Sequence, residues 1–324
     1  QEDARAEPRG GCLAGVGVGG IMIPMMVKNG YHSDFACALQ ATSGIFGPLI
    51  PPSIVMVLYA VYANQSVSTM LMAGVGPGLM QAAMVCILAV WICHRRGYAG
   101  VGSFSMKRLL KEFGSSFWAL LAPVIILGGI YSGICTATEA SGVACFYSIL
   151  VGLFIYKEMN WKTMLECLGK AMKSTGNIML IVGASGAFSW VLTRERIASK
   201  LANTLLSITS SEVLFLIVVM LILLFLGCFI DSVPITTIMT PILAPIAMEY
   251  GVSLVHLGGI MVSATCIGLI TPPMGLNLFM AAQVGNRPIH AVIGAIKPFI
   301  LVTVIGLVLV AFIPPITTFL PGLL

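Results

Sequence analysis

The sequence has few charged residues, and this scarcity excludes several classes of protein. Only 9% of its 324 residues are charged, whereas soluble globular domains carry roughly 25%. The nine cysteines form no Cys-x-x-Cys motif and show no spacing typical of Cys and His metal ligands. The four histidines belong to no His-x-x-x-His motif and to no nucleophile–base pattern of the kind that an enzyme needs. The sequence therefore indicates neither a metal centre, nor a disulfide framework, nor an enzyme.

Long apolar runs fill most of the chain. Hydrophobic residues make up 58% of the sequence, and the mean hydropathy is +1.01. Apolar runs of this length are typical of transmembrane helices. The net charge of +5 comes from Lys and Arg in loops, which favours cytoplasmic loops over nucleic-acid binding. The sequence predicts an all-α, multi-pass membrane protein with apolar segments at 12–27, 34–63, 68–93, 116–134, 138–156, 174–192, 212–230, 233–247, 252–284 and 289–313.

Two of these segments carry adjacent prolines in their middle. The pairs are Pro51–Pro52 in "GIFGPLIPPSI" and Pro272–Pro273 in "IGLITPPMGLN". Proline lacks a backbone donor and clashes with the preceding turn, so each pair predicts a broken helix. A break inside a membrane is tolerated only where the freed backbone groups meet protein, water or a ligand. The alternative interpretation is that the prolines only kink packed helices.

The two Pro–Pro segments belong to an internal repeat. A shift of 221 residues, without a gap, places six Pro or Gly residues on six others. The pairs are Pro24 and Pro245, Gly30 and Gly251, Gly47 and Gly268, Pro51 and Pro272, Pro52 and Pro273, and Pro77 and Pro298. We interpret the match as two copies of a short arm, a broken helix and a following helix, rather than as a coincidence of composition.

The charge of the loops predicts that the two copies have opposite orientations. The basic connections 94–111 and 157–173 are assigned to the cytoplasm. Counting spans from them gives inverted copies, the arrangement of secondary transporters with a site near the midplane. The basic stretch 193–200 disagrees with this count. The predicted organisation is an incomplete first inverted repeat at 1–93, scaffold helices and cytoplasmic connections at 94–211, and a second inverted repeat at 212–324 that begins with a re-entrant hairpin at 212–247.

Small and oxygen-bearing residues flank both breaks. They are Thr42, Ser43, Gly44, Gly47 and Ser53 at the first break, and Thr265, Gly268, Thr271, Gly275 and Asn277 at the second. Hydroxyl, amide and unwound backbone oxygens suit a hard monovalent cation, and half-helix ends add partial charges. The breaks are therefore candidate cation sites.

Three ionisable residues lie beside or within apolar segments. Asp231 follows a long apolar run; it is a candidate functional residue at the hairpin tip and a candidate N-cap of the next arm. Glu139 is either a membrane-depth proton or cation partner or a first-turn acid in a helix capped by Thr136 or Thr138. Lys297 is interpreted as a snorkelling or packing cation.

Four stretches carry a family resemblance. They are "GIFGPLIPPSIVMVLYAV", "GIYSGICTATEASGVA", "FLGCFIDSVPITTIMTPILAPIA" and "GLITPPMGLNLFMAA". In this order they resemble the large membrane subunit of tripartite ATP-independent periplasmic (TRAP) transporters. The resemblance implies an elevator-type secondary transporter of the ion-transporter superfamily in the bacterial inner membrane, with Na⁺ as the coupling ion and no other cofactor. It also implies an organic-acid substrate, such as a C4-dicarboxylate or a sialic acid, a periplasmic binding protein and a small membrane subunit.

The same resemblance implies roles for individual residues. The implied Na⁺ ligands are Gly47, Pro51, Ser53, Asp231, Ser232, Gly268, Thr271 and Asn277. The implied substrate contacts are Thr42, Ser43, Thr236 and Gly275. No catalytic residue is expected. A channel is disfavoured, because the polar residues cluster at two breaks rather than along a continuous pore.

The start of the chain departs from the family pattern. Under the 221-residue shift, the charged stretch 1–9 falls on the apolar stretch 222–230, and Gly10 and Gly11 fall on Asp231 and Ser232. We therefore expect a chain that is truncated or altered at its start, with an incomplete first site. The alternative functions are an ion-coupled carrier of the same superfamily that works without a binding protein, and a non-functional fragment.

Overall fold

A computed structural model describes residues 13–98, 106–157, 159–195 and 211–323, and most of them are helical. Those residues contain no strand, and the predicted all-α class is confirmed. The helices are α1 (Leu13–Lys28), α2 (Ser33–Ser43), α3 (Phe46–Leu49), α4 (Ile54–Tyr62), α5 (Val67–Arg95), α6 (Met106–Tyr131), α7 (Ala137–Leu150), α8 (Trp161–Arg194), α9 (Glu212–Gly227), α10 (Ser232–Glu249), α11 (Leu254–Gly268), α12 (Leu276–Val284), α13 (Ile289–Phe312) and α14 (Pro315–Thr318). A π-helical turn (Val151–Ile155) continues α7, and a 3₁₀ turn (Pro321–Leu323) follows α14.

Several helices have the length and composition of membrane spans. Among the described residues, four helical stretches pass this test: α5, Ala137–Ile155, α10 and α13. The pair Ser33–Leu49 and Ile54–Tyr62 is bent by 41° and adds a fifth span if it is counted as one broken helix. The structure therefore has the helices that a multi-pass membrane protein needs.

Helices α6, α8 and α10 are longer than their apolar segments. Helix α6 begins at Met106, ahead of the expected span 116–134, and α8 takes in most of the basic connection 157–173. These stretches are rich in Lys, Leu, Glu and Met, which are good helix formers. The charged residues therefore lie in helices there, not in loops. Helix α10 has 18 residues and is long enough to cross a membrane, whereas the sequence predicted a shorter arm at 233–247. The re-entrant character of 212–247 stays a prediction.

The chain divides into two compact units. One comprises the described residues of 1–99 and 180–324, and the other those of 100–179. In the second unit α6 and α7 pack as a hairpin, in which the Tyr147 hydroxyl donates to the Trp118 carbonyl at 2.8 Å. In the first unit α11 is the central helix, since every residue from His256 to Gly268 is buried. A helix that is apolar on all sides packs in an interior.

The two halves of the first unit repeat the same helix ends. Gly30 (φ 85°) and Gly251 (φ 75°) follow α1 and α10 in left-handed backbone. In each case the next amide bonds back to the helix, Tyr31 to Met26 at 3.1 Å and Val252 to Ala247 at 2.9 Å. This is the Schellman geometry, which favours glycine. Both Pro–Pro bonds are cis. The inverted orientation of the copies stays a prediction.

A bidentate ion pair joins the two halves. Nε of Arg287 donates to Oδ1 of Asp34 at 2.6 Å, and its Nη2 donates to Oδ2 at 3.2 Å. Asp34 lies in the first turn of α2, and Arg287 lies in the turn between α12 and α13. The hydrogen bonds that Arg287 donates to the Asp34 carboxylate raise the pKa of Arg287 above its ordinary value. Planar guanidinium–carboxylate pairing fixes orientation as well as distance.

Candidate functional site: two helix breaks and the turn at residues 228–231

The second break is a closed loop between α11 and α12. Helix α11 ends at Gly268, and the amide of Asn277 bonds back to the carbonyl of Leu269 at 3.0 Å. Gly275 has left-handed backbone, with φ 46°, a conformation that glycine adopts without penalty. The loop therefore returns to its starting point, and the two half-helices meet at one place.

The first break follows α3 and ends at a helix cap. Ile50 is extended, and α4 begins after Ser53. The Ser53 hydroxyl accepts from the Met56 amide at 3.2 Å and donates to the Pro48 carbonyl. Ser53 was expected to bind Na⁺; in the structure its hydroxyl caps α4, a frequent role for serine.

The turn 228–231, between α9 and α10, lies against the second break. The Gly275 amide donates to the Cys228 carbonyl at 3.1 Å. Next to this bond, a Cβ placed on Gly268 would lie 2.5 Å from Cα of Gly227. The C-terminal ends of α9 and α11 are thus in backbone contact. Each helix C-terminus carries about half a negative charge, so this contact favours a cation nearby.

The second break meets the end of α2 at Gly44 and Asn277. A Cβ on Gly44 would lie 3.0 Å from Nδ2 of Asn277, so the amide side chain reaches the end of α2. Asn277 is 7% exposed, and a buried amide in an apolar chain needs polar partners. The structure therefore brings Gly268, Gly275 and Asn277 of the second break next to the end of α2.

The hydroxyl groups at the site fall into two classes. Three of them donate to a carbonyl one turn earlier, each at 2.8 Å: Thr42 to Ala38, Ser43 to Leu39, and Thr271 to Ile267. A hydroxyl that donates in this way keeps its lone pairs for a cation. The hydroxyls of Ser232 and Thr236 are buried and have no hydrogen-bond partner among the described residues. Such groups are costly unless something polar reaches them.

Asp231 acts as the cap of α10. Its Oδ1 accepts from the Ser232 amide at 2.7 Å, and the residue is the N-cap of the helix. The capping interpretation of Asp231 is therefore confirmed, and it uses only one of the two carboxylate oxygens. Glu139 also caps its helix: its Oε2 accepts from the amide and the hydroxyl of Thr136, each at 2.8 Å, in a capping box. Lys297 is exposed.

The remaining expected residues lie around the first break. Pro51 is buried, and Gly47 is exposed with open space around its Cα. The carbonyl of Leu49 and the side chain of Ile50 pack on α5 at Gly74 and Gly78. Gly10 and Gly11, which were expected to mark the incomplete first site, lie outside the described residues. Among the described residues, no group of three or more His, Cys, Asp or Glu could hold a metal ion.

Two contacts at the site were missed by the sequence analysis. Gly227 is one glycine in a long apolar run, and only its contact with Gly268 reveals its role. The hydroxyl of Ser185, on α8, lies 3.1 Å from that of Thr237, on α10, and both side chains are buried. Neither contact has a local sequence signal, because each joins residues that are far apart in the chain.

The chain is similar to known membrane transport proteins over most of its length. The family model described as the tripartite ATP-independent periplasmic transporter, DctM component, matches residues 14–316. The chain is 37% identical to the sialic acid TRAP transporter permease protein SiaT of Haemophilus influenzae over 308 residues, which are 95% of this chain and 50% of that protein. It is 36% identical to the large permease protein SiaM of Vibrio cholerae, over 95% of this chain and 72% of SiaM. It is 39% identical to the C4-dicarboxylate large permease protein DctM of Pseudomonas aeruginosa, over 94% of this chain and 71% of that protein.

Proposed function

Because the chain belongs to the DctM component family of tripartite ATP-independent periplasmic transporters, we propose that it forms the transporting part of a Na⁺-coupled symporter for organic acids. The family resemblance predicted from the sequence is confirmed, and so is the multi-pass inner-membrane location. The relatives are named as permease proteins, which confirms that the chain is not an enzyme. The chain spans half of one of these relatives and 72% of another.

One observation carries the Na⁺ proposal: two helix C-termini, an unwound loop and the Asn277 amide converge at one buried place. Na⁺ must lose water to enter an apolar interior, so the protein has to offer several oxygens together. The loop 269–275 provides backbone carbonyls, and Thr271 provides a hydroxyl with lone pairs to spare. The partial charges at the ends of α9 and α11 have the sign that a cation requires.

The substrate proposal rests on the chemistry shared by the names of two relatives. Sialic acid and C4-dicarboxylates are both carboxylic acids, and a carboxylate is costly to bring into a membrane without a compensating cation. Coupling to Na⁺ supplies that cation. Thr42, Ser43, Thr236 and Gly275 remain the proposed substrate contacts. Of these, Thr236 has a buried hydroxyl without a hydrogen-bond partner among the described residues.

The partners are proposed on the same basis. The family description is of a tripartite, periplasmic transporter, so we assign a periplasmic binding protein and a small membrane subunit to this chain. The alternative is an ion-coupled carrier that works without a binding protein. Uptake of sialic acid and succinate into vesicles, measured with and without the binding protein, separates the two: uptake without it supports the alternative.

Asn277→Ala tests the cation site. Removing one Na⁺ ligand is expected to raise the Na⁺ concentration for half-maximal uptake about tenfold. A change of this size corresponds to the loss of one polar interaction comparable in energy to a hydrogen bond. The assay is uptake by the reconstituted transporter against external Na⁺, at constant ionic strength. Gln283→Ala is the matched control, because Gln283 is an exposed amide on the same helix. An unchanged Na⁺ dependence in Asn277→Ala would mean that this side chain only packs.

A further inference from the structure

The C-terminal segment, residues 313–323, folds back into the first unit. Helix α13 ends at Phe312, and Pro314 turns the chain into the short helix α14. The segment packs between α5 and α11. Thr317 is fully buried there. Burial of a polar side chain so close to the end of the described chain indicates a specific contact rather than a loose tail.

Two glycines open the groove that holds this segment. A Cβ on Gly76 of α5 would collide with the carbonyl oxygen of Ile316, and a Cβ on Gly259 of α11 would lie 2.5 Å from Cγ2 of Thr317. The segment therefore rests on bare backbone of both helices. No other residue type leaves room for so close an approach.

His256 fastens the segment to α11. Its Nε2 lies 3.1 Å from the carbonyl of Ala311, and its Nδ1 lies 2.7 Å from the hydroxyl of Thr317. A carbonyl only accepts, so Nε2 carries the hydrogen. The imidazole is 2% exposed, and it ties the end of α13 and the segment to the central helix of this unit.

Helix α5 presents its opposite face to the first break. A Cβ on Gly74 would lie 2.6 Å from the carbonyl oxygen of Leu49, and a Cβ on Gly78 would lie 2.5 Å from Cγ1 of Ile50. Gly74 and Gly78 are four residues apart and lie on one face of α5, whereas Gly76 lies on the opposite face of the helix. Helix α5 is thus held between the first break and the C-terminal segment.

We propose that the C-terminal segment positions the first break, by pressing α5 against Leu49 and Ile50, and that the contact between Thr317 and His256 holds the segment in place. The consequence for uptake rests on the proposed function, but the mechanical link does not. Thr317 and His256 are positioning residues, since neither lies at the breaks.

Hydrogen exchange of the chain in lipid nanodiscs tests this link. In the native chain the Ile50 amide donates to Phe46 at 2.8 Å and the Met56 amide donates to Ser53 at 3.2 Å, so both report on the first break. Thr317→Val keeps the shape and removes the hydroxyl. We expect roughly tenfold faster exchange in the peptide 45–57, as for the loss of a buried hydrogen bond.

Matched variants make the test specific. Thr318→Val removes a neighbouring hydroxyl that donates to the Pro314 carbonyl and belongs to a less buried residue, and exchange in 45–57 should stay native. Thr317→Ser keeps the hydroxyl and should also stay native. His256→Leu breaks the contact from the other side and also removes the bond to the Ala311 carbonyl. The double variant with Thr317→Val should therefore exchange no faster than His256→Leu alone if Thr317 acts only through His256.

The outcomes separate the proposals. Faster exchange confined to 313–323 in Thr317→Val, or equal effects of Thr317→Val and Thr318→Val, would overturn the positioning role. Faster exchange at 45–57 supports it even if uptake proves independent of Na⁺, a result that would overturn only the proposed function.

Discussion

Gly268→Ala tests the backbone contact between the ends of α9 and α11. The new methyl group would lie 2.5 Å from Cα and 2.6 Å from the carbonyl carbon of Gly227. Carbon atoms that are not bonded settle at about 3.5–4.0 Å. The two helix ends must therefore separate by roughly 1 Å. That movement pulls the loop 269–275 away from the turn 228–231 and stretches the Gly275–Cys228 hydrogen bond.

The expected magnitude follows from the overlap. Overpacking of this kind costs about 1–3 kcal/mol, and we expect the affinity for Na⁺ to fall about tenfold, because 1.4 kcal/mol corresponds to a factor of ten. Thermal unfolding of the purified chain in NaCl and in KCl, at equal ionic strength, measures this directly. At ten times the native Kd, bound Na⁺ stabilises the native chain by about 1.4 kcal/mol and a tenfold weaker variant by about 0.4 kcal/mol.

Two further variants calibrate the result. Gly227→Ala is expected to be milder, because its methyl group would lie 2.9 Å from Cα of Gly268 and 3.0 Å from the Thr265 carbonyl oxygen. Gly294→Ala is the control, since no atom lies within 4 Å of its new methyl group; it should keep native protection by Na⁺ and gain up to about 1 kcal/mol of stability. Native Na⁺ protection in Gly268→Ala would refute the reasoning.

Two other predictions concern single residues. Gly275→Ala should lower the free energy of unfolding by about 1–2 kcal/mol because Gly275 has left-handed backbone, and by a further amount because the new methyl group would lie 3.1 Å from the Thr271 carbonyl oxygen. Gly133 has φ 70° and open space around it, so Gly133→Ala should lose less stability in the same unfolding experiment. An equal loss of stability in the two variants would contradict the crowding at Gly275. Glu139→Gln should lower the thermal stability by weakening the cap of α7 while the Na⁺ dependence of uptake stays native; a changed Na⁺ dependence would show that Glu139 does more than cap.

The positions of the breaks could be predicted, because proline acts on its own backbone. The helix is interrupted between Leu49 and Ile54, and again between Gly268 and Leu276. Both interruptions fall where Pro–Pro pairs remove donors from the helix. The cap formed by Glu139 and Thr136 could also be predicted as one of two alternatives, because a capping box depends on only four consecutive residues of the sequence.

The packing of the site could not be predicted, because it depends on partners far away in the chain. The contact of Gly227 with Gly268 and the approach of Asn277 to Gly44 carry no local signal. In the sequence Ser53 is a candidate cation ligand, and only the structure shows that its hydroxyl caps α4. The sequence predicts connections where α6 and α8 begin, and the structure has helix there, because Lys and Arg are common both in loops and on helix surfaces.

The ion pair between Asp34 and Arg287 imposes an order on biosynthesis. The two residues are 253 positions apart, and a ribosome that adds about 5–20 residues per second needs about 13–50 s to reach the second after the first. During this interval the carboxylate at the start of α2 has no arginine, and the imidazole of His32, whose Nδ1 lies 3.3 Å from Oδ2 of Asp34 in the folded chain, is the other basic group beside it. The bidentate pair, and with it the orientation of α2 against the turn after α12, can therefore form only after the second half of the chain has been made.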